Sequence, residues 1–135
     1  MALVLEGSTT LLQVFDMPRS LAFYRDGLGF QVVAQSQPGD DFDWGLLRLG
    51  EAELMLNTAY ERDARPSAPD PARVAAHGDT QLFFGCRDLD GAFAELRAKG
   101  LQVREPTVTS YGMRQLWLHD PDGYALCLQW RNPGQ

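Results

Sequence analysis

The feature of this 135-residue sequence that most restricts its fold is an internal duplication. Residues 11–32 and residues 82–103 share one order of features: an apolar strand, an aspartate, a helix, a glycine and a second strand. Asp16 in the first segment corresponds to Asp88 in the second. The period is about half the chain, which is too long for a solenoid repeat. We therefore predict two copies of one module.

Each module should contain one helix whose ends are marked in the sequence. Asp16 and Asp88 can accept hydrogen bonds from free backbone N–H groups of a first helical turn, which predicts that they cap the helices. Gly29 and Gly100 are the expected helix stops, because glycine readily adopts the left-handed conformation found there. An apolar stripe at helical spacing in the second helix should face a sheet. Its residues are Leu89, Ala92, Phe93 and Leu96.

Three further strands follow each predicted helix. In the first module we place them at Gln31–Gln35, Trp44–Leu49 and Glu53–Asn57. In the second module we place them at Gln102–Glu105, Arg114–His119 and Tyr124–Trp130. Turn signals at residues 50–51 and 120–123 separate the last two strands of each module. The predicted fold class is α+β, with two tandem βαβββ modules.

We predict one structural domain in which the modules occupy residues 1–59 and 80–135. Residues 60–79 between them contain three prolines and indicate a linker, with a short helical turn at Ala72–Ala76. A connection of this length either covers a cleft or only carries the chain from one module to the next.

Charge and hydropathy restrict the partners. The net charge of −6 argues against nucleic acid and anionic membranes, since phosphate binding needs clustered Lys and Arg. It permits a cationic ligand and disfavours a strongly anionic one. No stretch approaches the roughly 20 apolar residues of a membrane span, and the first residues lack the basic region of a signal peptide. We expect a cytoplasmic protein, and its two cysteines make no disulfide framework.

Strand alternation gives each sheet one side that faces its helix and a second side of mixed composition. Large rings beside amides and charged groups are typical of a ligand pocket, although an interface between modules or subunits has a similar composition. We expect a planar aromatic or cationic small molecule to stack there on Trp44 and Trp117. The predicted ligand-binding residues are Trp44, Arg48, Glu53, Gln81, Phe83, Gln115, Trp117, His119 and Cys127.

Two of these residues leave alternatives open. Arg48 would repel a cation unless it extends to the rim or pairs with Glu53 and neutralises it. If Arg48 instead dominates the site, the preferred ligand carries a carboxylate. Cys127 has no histidine or cation placed beside it by the sequence, and we predict no catalytic residue.

Segments along nearly the whole chain outside the linker are similar to the glyoxalase/bleomycin-resistance/extradiol dioxygenase superfamily, the vicinal oxygen chelate fold. Residues 14–30, V-F-D-M-P-R-S-L-A-F-Y-R-D-G-L-G-F, resemble its first-module signature. Residues 87–90 with Gly100, and D-P-D-G-Y at residues 120–124, resemble its second-module signatures, while E-L-M-L at residues 53–56 resembles the end of the first module. The resemblance implies an eight-stranded, incompletely closed, barrel-like arrangement around a cleft, usually in a homodimer.

Metal-using members of this superfamily place two His and two Glu around a divalent ion, one near the start of the first and last strands of each module. Here Thr9 and Gln81 stand where the histidines are expected, and Cys127 stands where the final glutamate is expected. Only Glu53 keeps its ligand type. Because this is a poor set of donors for a divalent ion, we predict neither a metal nor another cofactor.

The resemblance therefore points to the bleomycin-resistance-like branch, with a metal-free protein that binds an antibiotic-like small molecule and performs no chemistry. One alternative is a metal-dependent lyase, isomerase or dioxygenase with shifted ligands, using Glu53 and His119, or Glu53 alone as a general base. Another is a non-catalytic interaction module. A homodimer is expected in addition, because open sheet edges are usually covered.

Overall fold

The computed structural model describes residues 2–133, and its elements follow the duplicated order. The chain divides into two compact units between Pro66 and Ser67. The first unit contains β1 (Thr10–Val14), α1 (Met17–Leu21) with a π-helical continuation (Ala22–Leu28), β2 (Gln31–Gln35), β3 (Trp44–Leu49), β4 (Ala52–Thr58) and a 3₁₀ turn (Arg62–Ala64). The second contains α2 (Pro71–Ala76), a 3₁₀ turn (His77–Asp79), β5 (Gln81–Gly85), α3 (Leu89–Ala98), β6 (Thr107–Val108), β7 (Met113–His119) and β8 (Ala125–Arg131).

Each unit is built on one open, four-stranded mixed sheet. The strand orders are β1-β4-β3-β2 and β5-β8-β7-β6. In each sheet the first and last strands of the module run parallel, and the other neighbours run antiparallel. The predicted α+β class with two βαβββ modules is confirmed, and neither sheet closes into a barrel. None of the helices in residues 2–133 has the length and apolar character needed to cross a membrane.

The predicted helix ends are confirmed. The Asp16 carboxylate accepts a hydrogen bond from the Arg19 backbone N–H at 3.2 Å, and that of Asp88 accepts one from the Gly91 N–H at 2.9 Å. Gly29 and Gly100 follow the helical segments with φ angles of 99° and 86°. Such left-handed angles are strained for residues with a Cβ atom, so glycine ends both helices.

The predicted strand at Gln102–Glu105 is wrong. Residues 101–106 have no regular structure, and β6 contributes only two pairs, Thr107 with Gln115 and Val108 with Arg114. In the first unit, β2 pairs with β3 along its length, with one irregularity near residue 33. Pro106 explains the difference, because it has no N–H to donate to a ladder and stands where the pairing would extend. One edge of β7 is therefore left without a strand beyond Gln115.

The core of the first unit lies between its sheet and its helix. Five predicted helix-facing strand residues are at most 2% exposed: Leu12, Val14, Leu47, Leu54 and Leu56. Met17, Leu21 and Tyr24 of the helical segment are fully buried. Leu49, predicted to join them, is 44% exposed, because it ends β3 beside the exposed turn at residues 50–51.

The core of the second unit follows the same pattern. Leu82, Leu116, Leu118 and Leu126 of the sheet are buried, as are Leu89 and Leu96 of α3. The opposite side of this sheet also contains a buried residue, Cys127, whose exposed fraction is 0%. The strand register places Cys127 between Phe83 and Trp117. These two rings contact each other edge to face, with centroids 5.5 Å apart, so the thiol lies beneath them.

The segment predicted as a linker divides between the two units. Its first part contacts the first unit through Asp41, which forms ion pairs with Arg62 at 3.3 Å and with Arg65 at 2.6 Å. These arginines fasten the chain just before the boundary between the units.

The second part of this segment packs on the turn between β7 and β8. The predicted helical turn is confirmed as α2, whose Arg73 pairs with the buried Asp122 at 3.1 Å. The His77 ring stacks on Tyr124 with centroids 3.9 Å apart, and its Nδ1 lies 2.7 Å from the Asp122 carbonyl oxygen. α2 is thus held by an ion pair, a hydrogen bond and a ring contact.

Candidate functional site

A groove of about 1120 Å³ lies in the second unit, bounded by α3, residues 100–105 and β7. Phe93 and Arg97 line it from α3, and Gln115, Trp117 and His119 line it from β7. Its volume is comparable to the upper end of small-molecule sites, about 300–1,000 Å³. The groove occurs where residues 101–105 fail to pair with β7. It exists because β6 begins only at Thr107.

Trp117 forms a fixed flat wall of this groove. Its indole Nε1–H donates to Gln115 Oε1 at 3.3 Å. Phe83 contacts the same indole edge to face, with an interplanar angle of 78°. Since the half-buried ring is held from two sides, a ligand that stacks on it would not have to order it first.

Gln115 is the residue that orients this indole. Its side chain is only 7% exposed. Its Nε2 donates to Gln129 Oε1 at 3.1 Å and to the Tyr111 hydroxyl at 3.4 Å. Because an amide has two N–H donors, both are used within the protein. Gln115 therefore supports Trp117 rather than offering a free donor to a ligand.

The charged walls of the groove come from α3 and from residues 104–105. The Arg97 guanidinium lies over the Phe93 ring at 5.5 Å from its centroid, a cation–π contact that orients it. Arg104 and Glu105 line the opposite wall, and His119 lines the end of β7. All four of these charged or titratable residues are exposed.

Three predicted site residues lie in the first unit. Arg48 binds Glu53 Oε2 through Nη2 at 2.6 Å and through Nε at 2.9 Å, and Thr9 donates to Glu53 Oε1 at 3.2 Å. The Arg48 hydrogen bond is the main reason why the pKa of Glu53 is lowered. The pairing of Arg48 with Glu53, one of the two predicted alternatives, is what the structure shows. Trp44 is half-buried and begins β3.

Three predicted residues of the second unit lie outside the groove. Gln81 is exposed at the start of β5, and Phe83 is 50% exposed against Trp117. Cys127 is buried, and burial raises the pKa of its thiol to about 11. Such a thiol stays protonated at neutral pH and is a poor nucleophile.

The side chains at the superfamily's metal positions do not fit a divalent ion. Thr9 is hydrogen bonded to Glu53, and the register of the second sheet pairs Gln81 with Ala125 in the same way. In this register Ala125 corresponds to Glu53 and Cys127 corresponds to Met55. The expectation that Cys127 stands at the position of the final glutamate stays a prediction. Ala125 offers no ligand, and Glu53 already holds a guanidinium. Within residues 2–133 no group of three His, Cys, Asp or Glu side chains could hold a metal ion.

Sequence reasoning missed the α3 wall and the wall formed by residues 100–105. Phe93 was assigned to the core-facing stripe, yet it is half-buried and lines the groove. Arg97 and Arg104 carried no motif. The available signal was Pro106, which argues against a paired strand running through it.

The sequence matches one superfamily model and one relative along most of its length. The sequence model of the Glyoxalase/Bleomycin resistance protein/Dioxygenase superfamily matches residues 8–128. The uncharacterized protein YwkD of Bacillus subtilis (strain 168) is 34% identical over 117 residues, covering 82% of this chain and 85% of that protein.

Two solved structures share the fold at lower identity. A bleomycin-binding protein complexed with bleomycin has a TM-score of 0.70 at 21% identity, covering 95% of this chain and 100% of that one. TnmS3, an antibiotic binding protein from Streptomyces sp. CB03234, has a TM-score of 0.68 at 24% identity, covering 98% and 100%.

Proposed function

This chain belongs to the Glyoxalase/Bleomycin resistance protein/Dioxygenase superfamily, and from that membership we propose that it binds a small organic molecule reversibly and leaves it chemically unchanged. The observation that carries the proposal is the groove beside β7, with the indole of Trp117 already fixed as its wall. Solved proteins of the same fold named for binding bleomycin or an antibiotic support it.

The proposed ligand is an antibiotic-like molecule with a planar aromatic part. The face of Trp117 gives such a ring a stacking surface, and an aromatic contact of this kind contributes about 0.5–1.5 kcal/mol beyond area burial. Gln115 keeps the indole in position through its hydrogen bond. His119 adds a polar group to the same strand. Contacts from Trp44, Arg48, Glu53, Gln81, Phe83 and Cys127 to a ligand stay predictions.

The side chains best placed for chemistry are poor catalysts. The Glu53 carboxylate is held by Arg48 and has a lowered pKa, which makes it a weaker general base. The Cys127 thiol is buried with a raised pKa. These observations favour binding over a lyase, isomerase or dioxygenase reaction, and no observation favours the interaction module.

A homodimer is part of the proposal. Leu3, Val4 and Leu5 are 80–88% exposed, and each sheet has open edges. Exposed apolar segments and unpaired edges are commonly covered by a partner. The cytoplasmic location stays a prediction.

The test is calorimetric titration of planar aromatic compounds, including antibiotics with fused aromatic rings, into the protein and two tryptophan variants. Trp117→Leu should weaken binding by about two- to tenfold, the loss of one stacking contact. Trp44→Leu is the matched comparison, because Trp44 begins the corresponding third strand of the first unit. Binders whose affinity is unchanged in Trp117→Leu would place the site elsewhere.

A further inference from the structure

The basic side chains of this acidic protein fall into two groups by ion pairing. The chain has 12 Lys and Arg against 18 Asp and Glu. Eight of the basic residues form ion pairs: Arg19, Arg25, Arg48, Arg62, Arg65, Arg73, Lys99 and Arg114. The other four, Arg87, Arg97, Arg104 and Arg131, form none with any residue in the described part of the chain. Two of these four, Arg97 and Arg104, line the groove.

The charge balance of the groove is therefore opposite to that of the whole chain. Arg97 and Arg104 face it together with a single carboxylate, that of Glu105. The imidazole of His119, which also lines the groove, adds no carboxylate. With an excess of acidic residues available, the two arginines are still left without a carboxylate partner. Their guanidinium groups are thus available to a ligand.

The aromatic and basic groups of the groove lie on different walls. Trp117 lines it from β7, Arg97 from α3 and Arg104 from residues 100–105. Arg97 is already oriented by its contact with Phe93 at 5.5 Å. A planar ring on Trp117 would leave a substituent free to reach the arginines. A guanidinium group binds carboxylates well, because its planar donors match the two oxygens.

We propose that the groove selects planar aromatic molecules that carry a carboxylate, with the ring on Trp117 and the carboxylate bound by Arg97 and Arg104. The inference rests on the proposed binding function and specifies its ligand class. It reverses the expectation, drawn from net charge alone, that an anionic ligand is disfavoured. The local field in a groove, rather than the net charge, decides which ligand binds there.

The expected selectivity is modest, because both arginines are exposed. Exposed ion pairs contribute little each, so the loss of one arginine should weaken carboxylate binding by about three- to fivefold. Loss of both should weaken it by about tenfold. Added salt should reduce the affinity for the carboxylate and leave that for a neutral analogue unchanged.

The experiment compares three ligands that share one ring system: naphthalene-2-carboxylate, naphthalene-2-carboxamide and 2-naphthylmethylammonium. Each is titrated calorimetrically into the wild-type protein, Trp117→Leu, Arg97→Gln, Arg104→Gln, the double arginine variant and Arg131→Gln. Arg131 is also unpaired but lies outside the groove, so its variant is the matched charge control. Circular dichroism of every variant checks that the fold is kept.

The wild-type protein should prefer the carboxylate over the carboxamide by about tenfold. The double variant should lose this preference, and Arg131→Gln should keep it. The proposal is overturned if the wild type binds the carboxamide or the cation as tightly, or if the double variant keeps the preference. If the three ligands bind equally and Trp117→Leu weakens all of them, small-molecule binding stands and anion selection fails. If none of them binds, both proposals fail.

Discussion

Gly123 lies in the turn between β7 and β8, on which α2 packs, and its surroundings allow a quantitative prediction. A Cβ atom added at Gly123 would lie 2.7 Å from Val74 Cγ1 and 3.2 Å from the Val74 Cα and carbonyl oxygen. The φ angle there is also left-handed, at 86°. Asp120 prevents relaxation, because its Oδ1 accepts hydrogen bonds from the backbone N–H groups of Asp122 and Tyr124, each at 2.9 Å. Gly123→Ala should therefore destabilise the protein by both strain and overlap.

Gly100 provides the matched control. It has the same φ angle of 86°, and an added Cβ atom would meet nothing within 4 Å. Gly100→Ala should cost about 1–2 kcal/mol, from the left-handed conformation alone. Gly123→Ala should cost about 1–3 kcal/mol more, the range for overpacking. The reduced entropy of the unfolded chain affects both alanine variants alike, so it cancels in the comparison.

The assay is urea unfolding followed by circular dichroism, with the free energy of unfolding extrapolated to water. Val74→Ala removes the methyl group nearest to the new Cβ, so the double variant with Gly123→Ala should recover part of the loss. A double-mutant cycle isolates this coupling. If Gly123→Ala and Gly100→Ala destabilise equally, α2 is not packed against the turn as described.

Three further predictions concern charge, metal and assembly. The pKa of Glu53 is lowered chiefly by Arg48, so the ion pair stabilises the protein above the ordinary glutamate pKa and stops doing so as pH falls through the lowered pKa. The free energies of unfolding of the wild type and Glu53→Gln, measured in urea, should therefore differ at pH 7 and converge at low pH. An equal difference at both pH values would contradict this. Elemental analysis of purified protein should find less than about 0.2 equivalents of Ni, Zn, Fe or Mn, whereas near-stoichiometric metal that is lost in Glu53→Gln would refute the metal-free account. Light scattering at micromolar concentration should give about twice the 15.0 kDa chain mass, and a monomer mass would refute the homodimer.

Local signals in the sequence were sufficient for most of the fold. The duplicated aspartates and glycines gave both helices correctly, since capping and left-handed ends depend on single residues. Alternation gave β3 and β7 to within one residue at either end. The strand at residues 102–105 failed because its composition favours a strand, whereas pairing depends on the following Pro106.

The candidate site was harder to predict from the sequence than the fold, because it depends on which helices, strands and loops approach each other. Alternation correctly placed Gln115, Trp117 and His119 on one side of β7, and all three line the groove. It could not show that both N–H donors of the Gln115 amide bind neighbouring side chains. Nor could it show that the Phe83 and Trp117 rings cover Cys127. Arg97 was missed because its role depends on the gap that residues 101–105 leave beside β7.

The central claim is that a ligand binds in the groove against Trp117. The most direct measurement is a ¹H–¹⁵N spectrum of the three tryptophan indole N–H groups, titrated with naphthalene-2-carboxylate. Trp117→Leu assigns the Trp117 signal by its disappearance. We expect a saturable shift of that signal, with a much smaller shift for Trp130. Saturable binding that moves the Trp44 or Trp130 signal and leaves that of Trp117 in place would contradict the claim.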